Sequence, residues 1–95
     1  MTSHITILIL NWNGKHFLKE CLESVLKVNY SNYSVVVIDN NSSDNSIKLI
    51  QNNFPIVKII SLNKNYGFAR GYNKSFEQLD KKKTEYVLLL NNDTI

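Results

Sequence analysis

Apolar runs and apolar stripes take turns along this chain. Ile5 to Leu10 (ITILIL) is continuous and largely β-branched, the pattern of a strand buried on both faces. Asn11, Trp12, Asn13 and Gly14 break it. From Lys15 to about Lys27, the apolar residues Phe17, Leu18, Cys21, Leu22, Val25 and Leu26 recur at helical spacing, leaving Lys19, Glu20 and Glu23 to solvent. Ser34 to Ile38 (SVVVI) repeats the buried-strand pattern and stops at Asp39. The polar stretch Asn40 to Ser43 leads into a second helix, Asp44 to about Asn52, with Ser42 or Ser43 as its N-cap and Ile47 and Ile50 inward. Pro55 closes that unit, and Ile56 to Ser61 predicts a third strand. After a loop from Asn63 to Gly67, Ala69, Tyr72, Phe76 and Leu79 mark a third helix, Phe68 to about Asp80. Lys81, Lys82 and Lys83 make a charged turn, and Glu85 to Leu90 (EYVLLL) is the fourth strand.

The order βαβαβαβ implies right-handed crossovers and an α/β fold, a three-layer Rossmann-like parallel sheet covered on both faces. Ninety-five residues allow one domain with one core. The 43% hydrophobic and 20% charged content excludes wholesale disorder. Eleven Lys and Arg against eight Asp and Glu give a net charge of +3, compatible with phosphate-bearing partners and too weak to argue for nucleic acid. The single cysteine, Cys21, excludes an internal disulfide framework and fits a reducing compartment. No apolar run is long enough for a membrane span, and no signal peptide is evident, so the expected location is cytoplasmic. The chain ends five residues after its most hydrophobic strand, as the first half of something larger would.

In such sheets ligands bind beyond the carboxyl ends of the strands, where strand order reverses. The residues that follow the strands are Asn11 to Gly14, Asp39 to Ser42, Asn63 to Gly67, and Asn91 to Asp93. All four ends converge on one rim rich in Asn and Asp. Each of these residues also has a plain reading as a turn or cap, because short polar side chains bond nearby backbone. A composition rich in Asn, Lys and Ile raises the count of Asn as well. No GxGxxG follows the first strand and no GxxxxGK[ST] occurs, which disfavours dinucleotide folds and phosphate-loop ATPases. A divalent cation on a carboxylate is then the remaining way to hold a diphosphate, and Asp93 is the best placed candidate.

Four segments in order, ITILILNWNG, VVVIDNNSSDNS, NKNYGFARGYN and YVLLLNND, resemble family 2 glycosyltransferases, which have the GT-A fold. Asn-Trp-Asn after the first strand and Asn-Asn-Asp after the fourth are most similar to rhamnosyltransferase-like members. The resemblance implies that residues 1–95 are the N-terminal nucleotide-sugar-binding half of a GT-A fold, with the acceptor half absent. It implies an inverting, metal-assisted transfer of a sugar from a nucleotide-diphosphate sugar to a glycan or lipid-linked acceptor. Asn11, Trp12 and Asn13 would line the nucleobase pocket and Asp39 would accept a hydrogen bond from a uracil or thymine ring, favouring UDP or dTDP donors. Asn40 counts with that site and, with Asp44, shapes the loop and starts the helix. Gly67 and Asn73 match the segment where backbone approaches the nucleotide; Arg70 reaches a phosphate or lies on a surface helix.

Asn91, Asn92 and Asp93 occupy the place of the family's DXD motif, with Asn92 toward the nucleotide and Asp93, helped weakly by Asn91, on Mg²⁺ or Mn²⁺. The catalytic base of the resemblance lies beyond Ile95, so this chain alone should bind donor and not catalyse. The alternatives are a nucleotidyltransferase, or a non-catalytic nucleotide-binding or assembly module. The free edge of the fourth strand invites a homo-oligomer, and Lys81 to Lys83 allow peripheral contact with the inner membrane face. His4 and His16 read as solvent-facing, and Cys21 as core.

Overall fold

The computed structural model describes residues 4–27, 32–67, 70–71, 73–74 and 86–91, the last segment's two end residues by backbone alone. The apolar runs form strands β1 (Ile5–Asn11), β2 (Tyr33–Asp39), β3 (Lys58–Ser61) and β4 (Tyr86–Asn91), and the stripes form helices α1 (Lys15–Val25) and α2 (Ser46–Asn53). All strand pairs are parallel and the sheet order is β3-β2-β1-β4. This is the expected α/β architecture. Chain order runs outward from β1 to β3, then returns to β1's other side, so the topological switch point lies between β1 and β4.

The pleat divides the core into two. Ile7 and Ile9 of β1 and Val35 and Val37 of β2 share one face, where they meet Leu18, Cys21, Leu22 and Val25 of α1 and Ile50 of α2. Leu8, Val36, Ile38 and Ile60 face the other way, with Leu10 and Tyr66 packed against them. Successive side chains point to opposite faces, so a six-residue apolar run supplies both layers at once. Leu8, Ile9 and Leu22 are fully buried, each contributing about 1.5–3 kcal/mol of transfer free energy. The third helix expected over 68–80 lies mostly outside the described residues; Arg70, Gly71, Asn73 and Lys74 within it are helical. A Cβ on Gly71 would stand 2.9 Å from Leu10 Cδ1 and 3.1 Å from Asn40 Nδ2, which puts this segment on the second face. The charged turn expected at residues 81–83 lies outside the described residues.

Several expectations need correction. Phe17 is exposed, not part of the α1 stripe. At 100° per residue it sits roughly 90° around the helix from the centre of the arc through Leu18, Cys21, Leu22 and Val25. Ile56 is exposed in a turn before β3, because Val57 N–H bonds Phe54 C=O (3.0 Å) and the strand begins two residues later. Neither Ser42 nor Ser43 caps α2; Asn45 does so in a left-handed conformation (φ 67°) without a side-chain bond. His4 is partly buried: its Nδ1 lies within hydrogen-bond distance of Asn32 Oδ1 (2.8 Å) and its Nε2 of the Ser34 hydroxyl (3.0 Å). The sheet is also not covered throughout, since Val87, Leu88 and Leu89 of β4, which alternate between faces, are all exposed.

Candidate functional site

The strands end in register. Asn11 of β1 pairs with Asp39 of β2, Asp39 with Ser61 of β3, and Leu10 with Asn91 of β4. The ladder continues into the loops, with Asn40 N–H on Asn11 C=O (2.8 Å) and Leu62 N–H on Asp39 C=O (2.9 Å). The polar residues that stop each apolar run therefore lie side by side at one edge.

Asn11, Asp39 and Asn40 are at most 2% exposed, and burial on this scale requires hydrogen-bond partners. Asn11 Nδ2 donates to Asp39 Oδ1 (3.0 Å) and to Ser42 Oγ (3.2 Å). Ser42 N–H donates to Asp39 Oδ2 (2.8 Å). Asn13 stands in a left-handed conformation (φ 49°). Its N–H donates to Ser42 Oγ (2.9 Å) and its Oδ1 accepts from Ser43 N–H (2.8 Å). Asn40, one residue after Asp39, points to the opposite face by the alternation of the pleat. There its Oδ1 accepts from Tyr66 N–H (2.9 Å) and its Nδ2 donates to Gly67 C=O (3.0 Å). Three loops from three strands are thus tied together, and no buried side-chain polar atom among the described residues lacks a partner. Gly67 has φ 78° with open space where a Cβ would stand, so backbone conformation and not crowding selects glycine there.

Asp44 joins two helix starts. Its Oδ2 accepts from Lys15 N–H (3.0 Å), the first residue of α1, and its Oδ1 from the N–H (3.1 Å) and hydroxyl of Ser46, the first residue of α2. Burial acts to raise its pKa, but the hydrogen bonds from Ser46 and Lys15 outweigh it and hold the carboxyl below its ordinary value. The helix-starting role expected of Asp44 and the loop-shaping role expected of Asn40 are both realised.

Of the residues expected at the site, Asn11, Asn13, Asp39, Asn40 and Gly67 belong to this one network. Trp12 projects from it, 54% exposed. Asn73 lines an open depression of about 300 Å³ with Tyr66, Arg70 and Lys74. Asn91 reaches the rim by its backbone, and Asn92 and Asp93 lie outside the described residues. No group of three His, Cys, Asp or Glu among the described residues could hold a metal. Ser42, expected at the rim and as a cap, is the staple between the first two loops. Gly71 was not singled out, although a glycine inside a helical pattern signals a close approach. No described helix is long and apolar enough to cross a membrane.

Comparison with known proteins gives the family and the fold. Residues 6–95 match the family model described as glycosyl transferase family 2. The chain is 32% identical over 95 residues to the poly-beta-1,6-N-acetyl-D-glucosamine synthase of Staphylococcus aureus (strain COL), covering 96% of this chain and 22% of the synthase. It is 26% identical over 93 residues to the teichoic acid poly(glycerol phosphate) polymerase of Staphylococcus epidermidis, covering 94% of this chain and 12% of the polymerase. Among solved structures, the mannosyltransferase PcManGT of Pyrobaculum calidifontis, in complex with GDP-Man and Mn²⁺, superposes with a TM-score of 0.83 at 18% identity, covering 98% of this chain and 28% of that one. Residues 1–349 of S. aureus TarS, in complex with UDP, give 0.82 at 22% identity, covering 95% and 27%. The last two share the fold, and the chain spans less than a third of any of these proteins.

Proposed function

Because the chain belongs to glycosyl transferase family 2, we propose that it forms the donor-binding half of an enzyme that transfers a sugar, with inversion, from a nucleotide-diphosphate donor to a glycan or lipid-linked acceptor. The observation that carries this reading is the hydrogen-bonded union of Asn11, Asn13, Asp39 and Asn40 beside the switch point of the sheet. A tied rim of this kind presents fixed groups to a ligand with little ordering left to do.

In this reading the exposed Trp12 ring walls the nucleobase pocket, with Asn11 and Asn13 beneath it. Asp39 is an acceptor only and suits the ring N–H of uracil or thymine; each of its oxygens keeps a second lone pair beyond the loop bonds described. Gly67 and Asn73 lie along the nucleotide from the far side. Asn91 opens the segment that brings Asn92 toward the nucleotide and Asp93 toward Mg²⁺ or Mn²⁺, and the parallel pairing of Asn91 with Leu10 supports that placement. The metal, when bound, supplies positive charge to the leaving diphosphate. Deprotonation of the acceptor hydroxyl falls to an Asp or Glu outside these 95 residues, so the chain alone binds donor without turnover. The named activities of the staphylococcal relatives favour a role in bacterial polysaccharide or teichoic acid synthesis, with the chain in the cytoplasm or at the inner membrane face.

Thermal unfolding with UDP, dTDP, GDP and ADP, each with and without Mn²⁺, tests the reading on this chain and on Asp93→Ala. A ligand at a hundred times its dissociation constant adds about 2.7 kcal/mol, worth several degrees at this size. The expected result is a shift with UDP or dTDP that requires metal and disappears in Asp93→Ala. A shift indifferent to metal, or largest with ADP, overturns the donor and metal assignments.

A further inference from the structure

Asp39 is only 1% exposed, with one carboxylate oxygen bonded to Asn11 and the other to Ser42. Recognition at this rim therefore needs a second group that stands further forward. Ser42, three residues on, is partly exposed, and the bonds around its hydroxyl restrict what that hydroxyl can do.

A serine oxygen has two lone pairs and one proton, and a free hydroxyl rotates to donate or accept as its partner requires. Both lone pairs are taken here. The Asn13 backbone N–H donates to Ser42 Oγ at 2.9 Å, and Asn11 Nδ2 donates to it at 3.2 Å. The identity of that Asn11 atom is fixed chemically. It also lies 3.0 Å from Asp39 Oδ1, and a carboxylate oxygen only accepts, so this end of the amide is the nitrogen. The serine proton must then leave along the remaining tetrahedral direction, away from Asn11, Asn13 and its own Cβ. No described residue accepts it. Ser42 is thereby a donor only, beside Asp39, an acceptor only. The Asn11 amide touches both and keeps them neighbours, and Asn11 and Asn13 bracket Trp12, whose ring is 54% exposed.

We propose that Ser42 is a specificity-determining residue for the nucleobase: its hydroxyl donates to the ring carbonyl oxygen beside the N–H that Asp39 accepts. The assignment rests on the glycosyltransferase reading and extends its base contact from one hydrogen bond to a matched pair. An N–H next to a C=O is the lactam edge of uracil, thymine and guanine. Cytosine and adenine present the reverse pattern, an unprotonated ring nitrogen beside an amino group. Asp39 has no proton for that nitrogen, and Ser42 has no lone pair left for the amino group. A serine free to rotate would tolerate both classes of base. The bonds from Asn11 and Asn13 make it selective, because the wrong base leaves polar groups unpaired.

The test titrates this chain, with Mn²⁺ present, against UDP, 2-thio-UDP, 4-thio-UDP and CDP, following the backbone amides of Asn13 and Ser42 by NMR. Sulfur in place of a carbonyl oxygen is a poorer acceptor and leaves the ring N–H in position. One of the two thio analogues should bind about fivefold weaker than UDP, and CDP about tenfold weaker or more, as expected for a lost hydrogen bond. Ser42→Ala should weaken UDP about tenfold, equivalent to about 1.4 kcal/mol, and abolish the thio penalty. Ser42→Thr, which keeps the hydroxyl, should retain both the affinity and the penalty. A role confined to holding the loops predicts instead that Ser42→Ala weakens UDP and both thio analogues equally, and that result overturns the proposal. Equal binding of UDP and both thio analogues to the parent chain overturns it without any variant, while leaving the donor reading standing. If no nucleotide binds, both fall together.

Discussion

Asp44 shows how one side chain acquires two structural duties. Helix α1 begins at Lys15 after Gly14, with no acidic residue in its first turn and no side-chain cap of its own. The carboxylate that meets its first N–H comes from the loop twenty-nine residues later, and the same group holds the first N–H of α2. Negative charge at two helix N-termini is favourable on both counts. Asp44→Ala should therefore cost about 1–2 kcal/mol, the upper part of the range for a lost N-terminal cap. The pKa of Asp44 is lowered in the folded state, so its contribution is present above its unfolded pKa of about 3.9 and is lost as pH falls through the lower folded value. Urea unfolding should show the full deficit of Asp44→Ala at neutral pH and a shrinking one below about pH 4. A deficit that stays constant down to strongly acid pH would contradict the assignment. The Asn-rich loops have a similar residue-level cause: Asn13, Asn41 and Asn45 all have positive φ, a region in which Asn is among the few tolerated side chains.

At the scale of elements, the decisive contact is between the helical segment at Gly71 and the end of β1. A Cβ there would crowd Leu10 Cδ1 and Asn40 Nδ2; the leucine tip can swing away, but Asn40 cannot easily retreat because Gly67 C=O and Tyr66 N–H hold both ends of its amide. Gly71→Ala should cost about 1–3 kcal/mol through overpacking, which lowers the melting temperature by about 4–8 °C per kcal/mol in a domain of this size. A melting temperature equal to or above that of the parent would show that the neighbours yield freely. Periodicity placed β1, α1 and β2 to within two residues. It misplaced Phe17 and Ile56 because an apolar residue counts toward a stripe or run wherever it falls, whereas burial depends on what packs opposite. The α2 start was read two residues early: Ser42 and Ser43 look like caps in isolation, but their groups are drawn across to Asn11 and Asn13 by a loop thirty residues away.

At the scale of the whole molecule, β4 stands at one end of the sheet order, with Val87 37%, Leu88 48% and Leu89 43% exposed. Backbone groups and apolar side chains on such an edge favour pairing with another strand, and we expect a second copy of this chain to supply it. Sedimentation at tens of micromolar should give a dimer or larger assembly, and Leu88→Lys should shift it toward monomer. A parent chain that sediments only as monomer removes this expectation.

The apolar alternation alone determined the strands, two of the helices and the parallel α/β class, because period-two and period-3.6 patterns have few ways to bury themselves. It also marked where each strand stops, at Asn11, Asp39 and the residues after Ser61. Only the tertiary structure decided what those polar residues do. Register set Asn11 against Asp39, and the pleat turned Asn40 to the opposite face. Ser42 and Asp44 were committed to partners on another loop, and Lys64 and Lys74 were drawn to the Tyr66 ring. Side-chain hydrogen bonds and charge clusters depend on distances between segments far apart in sequence, and no local pattern of hydrophobic and polar residues encodes them.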